Sequence, residues 1–248
     1  MQNQPFLSLI FPAYNEESRL PKALDQSIEF LQQQPFEGEI IVVENGSGDR
    51  TYQIACSYQE QFENLQVIQS TARGKGLAVK KGMLAAKGQY RMFLDVDLSM
   101  PIKDVAKFFP PTLSEEVDIA IASREGKEAR RIGEPAYRHL MGRVFNTLIR
   151  ILTLPQYQDS QCGFKCFKAG VVEDLFPLQT VNGWAFDTEI LYIANIRGYN
   201  VKEVGIDWYF DTDSRIKVVR DTIQMIKDTF TIRRNHRQGF YHRNSLGD

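Results

Sequence analysis

A mostly parallel β-sheet with helices on both faces is the fold class this sequence predicts, and three observations lead to it. Short, continuous apolar runs such as Leu7-Ser8-Leu9-Ile10-Phe11 and Ile40-Ile41-Val42-Val43 have the character of strands buried on both sides. Helix-length stretches with apolar residues three and four apart separate those runs. Polar turns containing Gly, Asn or Asp follow them, at the strand ends where ligands of such sheets bind.

Residues 7–11 form the first strand, ended by Pro12 and Asn15. A helix is expected over 16–33, with Leu20, Leu24, Ile28 and Leu31 on one side. The second strand covers 39–43 and leads into Glu44-Asn45-Gly46-Ser47-Gly48-Asp49, where Ser47 or Asp49 is expected to cap a helix running to about residue 60. Strands follow at 65–68, 90–94 and 117–122, with helices at 76–86 and 104–109. The motifs at Asn15, Glu44, Asp95 and Ser123 thus converge on one sheet edge.

The second half reads differently. An amphipathic helix is expected over 137–152, with Leu140, Val144, Leu148 and Ile151 in register. A strand follows at 163–167 and a helix at 185–196. Residues 201–210 alternate as one half-buried strand. The last helix, 216–232, carries Ile216, Val219, Ile223, Ile226 and Phe230 on one stripe. Residues 124–135 are charged, hold Gly126 and Gly133, and are expected to be a mobile loop.

The chain has 248 residues, 43% of them hydrophobic, enough for one large core. A net charge of -1 gives no reason to expect nucleic-acid binding. Cys56, Cys162 and Cys166 make no disulfide framework and too few ligands for zinc, so packing in a reducing compartment is expected. No apolar run approaches the ~20 residues of a membrane-spanning helix, and no signal peptide is expected.

The chemistry centres on Asp95-Val96-Asp97, which follows the fourth strand. Alternation along an extended chain puts both carboxylates on one face, where a divalent cation can offset diphosphate charge. Solvated loop acids are the plain alternative. An aspartyl-nucleophile phosphatase would carry this motif after its first strand instead. Arg73-Gly74-Lys75-Gly76 can cradle phosphate or be an ordinary turn; it lacks the spacing of a nucleotide triphosphatase loop. Gly46-Ser47-Gly48 does not match a dinucleotide fingerprint. Tyr14, Asn15, Glu16 and Glu44 can contact a base and ribose, or simply cap helices. Arg124, Arg131, Arg138 and Lys165 suit a phosphate-bearing acceptor, against a solvated charged loop. Asp187 and Glu189 are general-base candidates for a hydroxyl acceptor; for a phosphate acceptor they would position sugar hydroxyls, and Asp187 reads equally as a helix cap. His139 reads as packed, and His236 and His242 fit a basic tail.

Taken together, these segments resemble family 2 glycosyltransferases, in the dolichyl-phosphate β-glucosyltransferase branch. The resemblance rests on Pro12-Ala13-Tyr14-Asn15-Glu16-Glu17, Gly74-Lys75-Gly76-Leu77-Ala78-Val79-Lys80-Lys81-Gly82 and Phe93-Leu94-Asp95-Val96-Asp97-Leu98-Ser99. Met141-Gly142-Arg143-Val144-Phe145-Asn146, Asp159-Ser160-Gln161-Cys162-Gly163-Phe164-Lys165, Trp184-Ala185-Phe186-Asp187-Thr188-Glu189-Ile190-Leu191 and Glu203-Val204-Gly205-Ile206-Asp207-Trp208 discriminate most. It covers roughly residues 6–234. Glu44-Asn45-Gly46-Ser47 replaces the family's usual Asp-Asp-Gly-Ser, and Ser214-Arg215 its Ser-Lys.

The resemblance implies a GT-A fold: a single catalytic domain over 1–235, with a nucleotide-binding half at about 6–123, an acceptor-side half at about 124–235 and a basic tail at 236–248. It implies an inverting, metal-dependent transfer, with glucose from UDP-glucose passed to a polyprenyl (dolichyl-type) phosphate. Pro12, Tyr14, Asn15, Glu16, Glu44 and Gly46 would surround the nucleotide, with Lys75 and Gly76 at its phosphates. Asp95, Val96 and Asp97 would line the diphosphate and donor sugar, and Asp95 and Asp97 would bind Mg²⁺ or Mn²⁺. Arg124, Arg138 and Lys165 would hold the acceptor phosphate or the leaving diphosphate. GDP-mannose or UDP-N-acetylglucosamine as donor, a saccharide hydroxyl as acceptor with Asp187 as base, and a non-catalytic nucleotide-sugar scaffold are the alternatives. Eukaryotic members carry an N-terminal anchor and some relatives C-terminal membrane domains; neither is expected here. A cytoplasmic protein is expected, peripheral on the cytoplasmic face of the membrane through the last helix and basic tail.

Overall fold

The computed structural model describes residues 4–126, 128–135, 147, 153–211 and 218–242. The expected helix at 137–152, with Arg138 and His139, lies outside the described residues except for position 147. Ser214, Arg215 and Ile216 lie outside them too.

Seven strands form the main sheet: β1 (Leu7–Ala13), β2 (Gly38–Glu44), β3 (Leu65–Gln69), β4 (Tyr90–Phe93), β5 (Ile119–Ser123), β7 (Lys165–Lys168) and β8 (Val201–Gly205). Their spatial order is β3-β2-β1-β4-β7-β5-β8. β1, β2, β3 and β4 run parallel, as do β5 and β8, whereas β7 is antiparallel to both of its neighbours. The expectation of a mostly parallel sheet holds, with that one reversal. β7 comes from the second half of the chain yet fills the gap between β4 and β5, so the division near residue 123 is not a structural boundary.

Strand alternation builds the core on both faces. Leu7, Leu9 and Phe11 point into one apolar cluster with Leu20, Leu24 and Leu31 of α1 (Leu20–Gln32). Ile10, Ile41 and Val43 point into the other. That second layer holds Val79 and Met83 of α3 (Lys75–Ala85), Val172 of α4 (Ala169–Leu175) and Phe186, Ile190 and Leu191 of α5 (Phe186–Ile196).

Four expectations are corrected. The first helix begins at Leu20 with Pro21 in its first turn, because residues 16–19 are held as a turn instead. The N-cap position of α2 (Thr51–Gln59) is Arg50 rather than Ser47 or Asp49, although Asp49 Oδ1 accepts from the Thr51 N–H at 3.0 Å. The stretch 201–210 is two strands, broken at Gly205–Ile206. A Cβ on Gly205 would lie 2.8 Å from that of Glu128, and the Ile206 N–H turns back to Ser123 O at 3.2 Å. Finally, residues 130–132 within the supposed mobile loop form β6 (Arg130–Ile132), paired in parallel with β9 (Asp207–Tyr209).

The last helix, α6 (Val218–Arg237), runs past the expected end of the domain, and Tyr241 beyond it is wholly buried. Residues 236–242 are thus part of the folded body rather than a loose tail. The core face of α6 is Met225, Thr229 and Ile232. The expected stripe is not the buried one, since Ile223 and Phe230 stand outside, 50% and 58% exposed.

Candidate active site

The two loops at the ends of β1 and β2 are stitched to each other. Asn15 has a left-handed φ of 53°, which its short polar side chain tolerates. Its N–H donates to Ser47 Oγ at 3.0 Å, and its Oδ1 accepts from the Gly48 N–H at 2.8 Å. The Glu16 N–H donates to Thr51 Oγ1 at 2.8 Å and the Glu17 N–H to Asp49 Oδ2 at 3.2 Å. Residues expected to cap helices therefore tie the loops together. Glu44 is buried and accepts from the Ser47 N–H through Oε1. Glu16 is buried and paired with Arg19. Gly46 has a φ of 74°, and across it the Arg73 guanidinium lies 5.1 Å from the centre of the Tyr14 ring. Pro12, one residue before the end of β1, pairs with Val43.

The Asp-x-Asp pair is not on extended chain. β4 stops at Phe93, and Asp95–Leu98 is a turn closed by the Leu98 N–H on Asp95 O at 3.2 Å. Strand alternation therefore does not set the two carboxylates; the turn does. Val96 between them is buried in the core, and Leu98 has a left-handed φ of 46°. Burial first, and then the negative charge of Asp95, push the Asp97 carboxyl above its ordinary range. Asp97 Oδ1 also accepts from the Ser99 N–H at 2.9 Å.

Lys75 opens α3 and reaches Asp95, with Nζ 2.5 Å from Oδ1 and 5.2 Å from the centre of the Trp184 ring. Burial alone would lower the Lys75 pKa; the charges of Asp95, Asp187 and Asp97 and the hydrogen bond to Asp95 outweigh it and raise it. One cation thus feels three acids. Gly76, next along α3, is required by packing: a Cβ there would lie 2.5 Å from Cβ of Phe186.

Asp187 sits in the first turn of α5, not at its cap, which is Ala185. Its Oδ2 accepts from Lys165 Nζ at 3.1 Å and its Oδ1 from the Thr188 N–H at 2.8 Å. Lys165 is wholly buried and also donates to Cys162 O at 2.5 Å. It therefore orients Asp187 from beneath and has no surface to offer a phosphate. Arg124 makes a two-pronged ion pair with buried Asp159, at 2.7 and 2.8 Å. Burial would push the Asp159 carboxyl up, but the charge and hydrogen bonds of Arg124 outweigh it and hold it at about 2. Arg131 is spent on Glu125 and Glu134, both at 2.8 Å, so it is not the free phosphate ligand expected. Both guanidinium groups lie over Trp208, at 5.5 and 5.7 Å from the ring centre.

Asp95, Asp97, Lys75 and Asp187 thus form one electrostatic cluster, flanked by the stitched loops and by the Arg124–Trp208–Arg131 stack. Two hard oxygen donors, one of them a carboxyl whose ionisation a nearby cation would favour, fit Mg²⁺ or Mn²⁺. Among the described residues no group of three His, Cys, Asp or Glu is placed to hold a metal. Gly163 was read only as part of a motif, yet a Cβ there would overlap the Asp95 carboxylate. Asp159, Trp208 and Ser99 had no separate signal. The buried thiols behave as packing residues, and burial pushes that of Cys162 up to about 12.

Residues 8–176 match the family model described as Glycosyl transferase family 2. Among curated relatives, the dolichyl-phosphate beta-glucosyltransferase of Dictyostelium discoideum is 32% identical over 95% of this chain and 76% of its own. That of Drosophila melanogaster is 35% identical over 91% of this chain and 74% of its own, and that of Homo sapiens 31% over 94% and 76%. Among solved structures, glucosyl-3-phosphoglycerate synthase from Mycobacterium tuberculosis in complex with UDP aligns with a TM-score of 0.68 at 18% identity, covering 92% of this chain and 80% of that one. The same enzyme with Mn²⁺, UDP-glucose and phosphoglyceric acid gives a TM-score of 0.68 at 16% identity, over 92% and 79%. This likeness is one of fold, the GT-A fold.

Proposed function

We propose, from the premise that this chain belongs to glycosyl transferase family 2, that it moves glucose from UDP-glucose onto a dolichyl-type polyprenyl phosphate with inversion at the anomeric carbon. It is a glycosyltransferase; donor, acceptor and metal are the proposal. The observation that carries it is the Lys75–Asp95–Asp97 cluster, on a chain whose relatives bear that activity in their names over most of their length.

In this reading the chain through Tyr241, six residues past the expected end at 235, acts as one catalytic unit. Asn15, Gly46 and their bonded loop hold the nucleotide, with Tyr14 and Arg73 at its edge. Asp95 and Asp97 hold Mg²⁺ or Mn²⁺, which supplies Lewis-acid stabilisation of the departing diphosphate. Lys75 adds a second positive charge at the same phosphates. An oxygen of the acceptor phosphate forms the new bond to C1 of the sugar as the bond from C1 to the UDP oxygen breaks, and UDP leaves with the electron pair. A phosphate anion needs no general base, which suits a site where Asp187 is already paired with Lys165. Arg124, stacked on Trp208 and paired with Asp159, is assigned to the acceptor phosphate. Arg138 is assigned to the acceptor phosphate by the family resemblance alone.

The acceptor would be met at a membrane surface. No helix of the described residues is long and apolar enough to cross one. The outer face of α6 instead carries Ile223, Lys227, Phe230, Arg234 and Arg237 at helical spacing, all exposed, with Phe240 just beyond. Apolar side chains interleaved with basic ones suit an anionic bilayer interface, and this is the proposed cytoplasmic-face contact.

The test is transfer of labelled sugar to a short polyprenyl phosphate with Mg²⁺ or Mn²⁺, comparing UDP-glucose, UDP-N-acetylglucosamine and GDP-mannose. Glucosylated lipid from UDP-glucose is expected. Donor hydrolysis without lipid product, or transfer to a saccharide hydroxyl, would overturn the acceptor assignment; lipid product from another donor would overturn the sugar.

A further inference from the structure

Glu189, a general-base candidate by residue type, is wholly buried on α5. Its Oε2 accepts from the N–H groups of Thr180 and Val181 at 2.9 and 2.7 Å. Its Oε1 accepts from the hydroxyls of Thr180 and Tyr241, both at 2.6 Å. The carboxyl accepts four hydrogen bonds and is closed to solvent.

What those donors belong to gives the carboxyl its purpose. The 179–182 segment is clamped along the start of α3. Gln179 Nε2 donates to Gly76 O at 2.9 Å, and the Leu77 N–H donates to Asn182 O at 3.3 Å. Lys80 Nζ donates to Gln179 O at 2.9 Å. A Cβ on Gly74 would collide with Asn182 O, and one on Gly76 would lie 2.8 Å from Val181 O. Residues 74–80 therefore take their position from 179–182, and that position aims Lys75 at Asp95.

On the far side, Tyr241 arrives from the chain beyond α6. Asn235 of α6 donates to Thr180 Oγ1 at 3.1 Å and to the Tyr241 hydroxyl oxygen at 3.3 Å. Arg197 Nε holds Tyr241 O at 3.3 Å.

We infer that Glu189 and Tyr241 are positioning residues: they latch the end of α6 to the 179–182 segment and thereby hold the Lys75 turn against Asp95. Neither touches a reacting atom. The outer face of α6 carries the apolar-basic stripe, so whatever seats on that face is one helix width from the latch that sets Lys75. That Lys75 meets the donor diphosphate rests on the function proposed above; the latch itself does not.

The test uses the full chain and Tyr241→Phe, which removes one oxygen and little packing. Hydrogen exchange is measured without nucleotide, and UDP binding with Mn²⁺ is measured alongside. One lost hydrogen bond to a buried carboxyl is expected to speed exchange across 74–82 and 179–182 by about 3- to 10-fold. The Kd for UDP and the KM for UDP-glucose should rise by a similar factor with kcat nearly unchanged. Glu189→Gln, with Tyr241 intact, should show a smaller effect, because its amide oxygen keeps the two backbone donors while both hydroxyls can turn to accept from its amide N–H groups. Acceleration confined to 235–242, with 74–82 unchanged, would overturn the latch. If the wild-type chain binds no UDP, the proposed function fails while the exchange data still decide the latch. Should Tyr241→Phe not fold, Asn235→Ala, which cuts the bonds to Thr180 and Tyr241, gives the same reading.

Discussion

The loops after β1 and β2 and the lip around β6 and β9 are held together by different forces. Between β1 and β2, neutral or singly charged short side chains bond to backbone N–H groups: Asn15 with Gly48, Ser47 with Asn15, Asp49 with Glu17. Around β6 and β9 the ties are full ion pairs, Arg124 with Asp159, Arg131 with Glu125 and Glu134, and Arg130 with Asp207. Short side chains bonded to backbone lose little entropy and define a rigid cradle. Long charged side chains make contacts that depend on burial, pH and salt. On the proposed function, the backbone-bonded cradle would meet the nucleotide and the charge-laced lip the long lipid acceptor.

Four perturbations would break or sharpen that contrast. The greatest loss is expected at the seam, with Asp95→Asn. It removes a proposed metal ligand and the partner of Lys75 together, and transfer should fall by about a thousandfold or more; steady-state assays across Mn²⁺ concentrations would detect a smaller effect. Next comes Asp159→Asn, which leaves Arg124 without its buried partner and should cost about 3–5 kcal/mol of stability by denaturant unfolding. The Asp159 carboxyl is held at about 2, below its ordinary value of 3.8. Its stabilisation is therefore full above the ordinary value and lost as pH falls through about 2, and the variant's stability should vary less with pH across that window. Ser47→Ala loosens the donor loops by about 1 kcal/mol and should raise the KM for UDP-glucose several-fold at low and high salt alike. The least effect belongs to Arg130→Ala, whose partner Asp207 is on the surface; no measurable change in Tm is expected. A large change there would mean that the lip is more rigid than its exposure implies.

Much of the fold was legible in the sequence, because strand ends and helix faces announce themselves through local periodicity. β1, β2, β3, β4 and β5 fall within a residue or two of the expected positions. The direction of β7 was not legible: it is set by the neighbours that Lys165–Lys168 pair with, β4 and β5, which lie elsewhere in the sequence. The break at Gly205 depends on Glu128 crowding it from another segment, which no window of sequence contains. The site divides in the same way. Asp95, Asp97 and Lys75 stood out by spacing. The burial of Lys165 beneath Asp187, the spending of Arg131 on two acids, and the role of Glu189 are products of long-range pairing. Gly163 was visible as a glycine, but its reason, the space taken by Asp95, is tertiary.

The placement of β7 has a consequence for how the molecule is made. Residues 165–168 supply the strand between β4 and β5, and the glycine just before them completes the wall beside Asp95. On a ribosome the first 123 residues emerge with β4 bare along one edge, a template for mispairing with another chain. A truncated nucleotide half would share that exposed edge and is expected to aggregate rather than persist as a separate module. The chain closes its own catalytic centre late, with a strand it has yet to synthesise when the centre's first carboxylates appear.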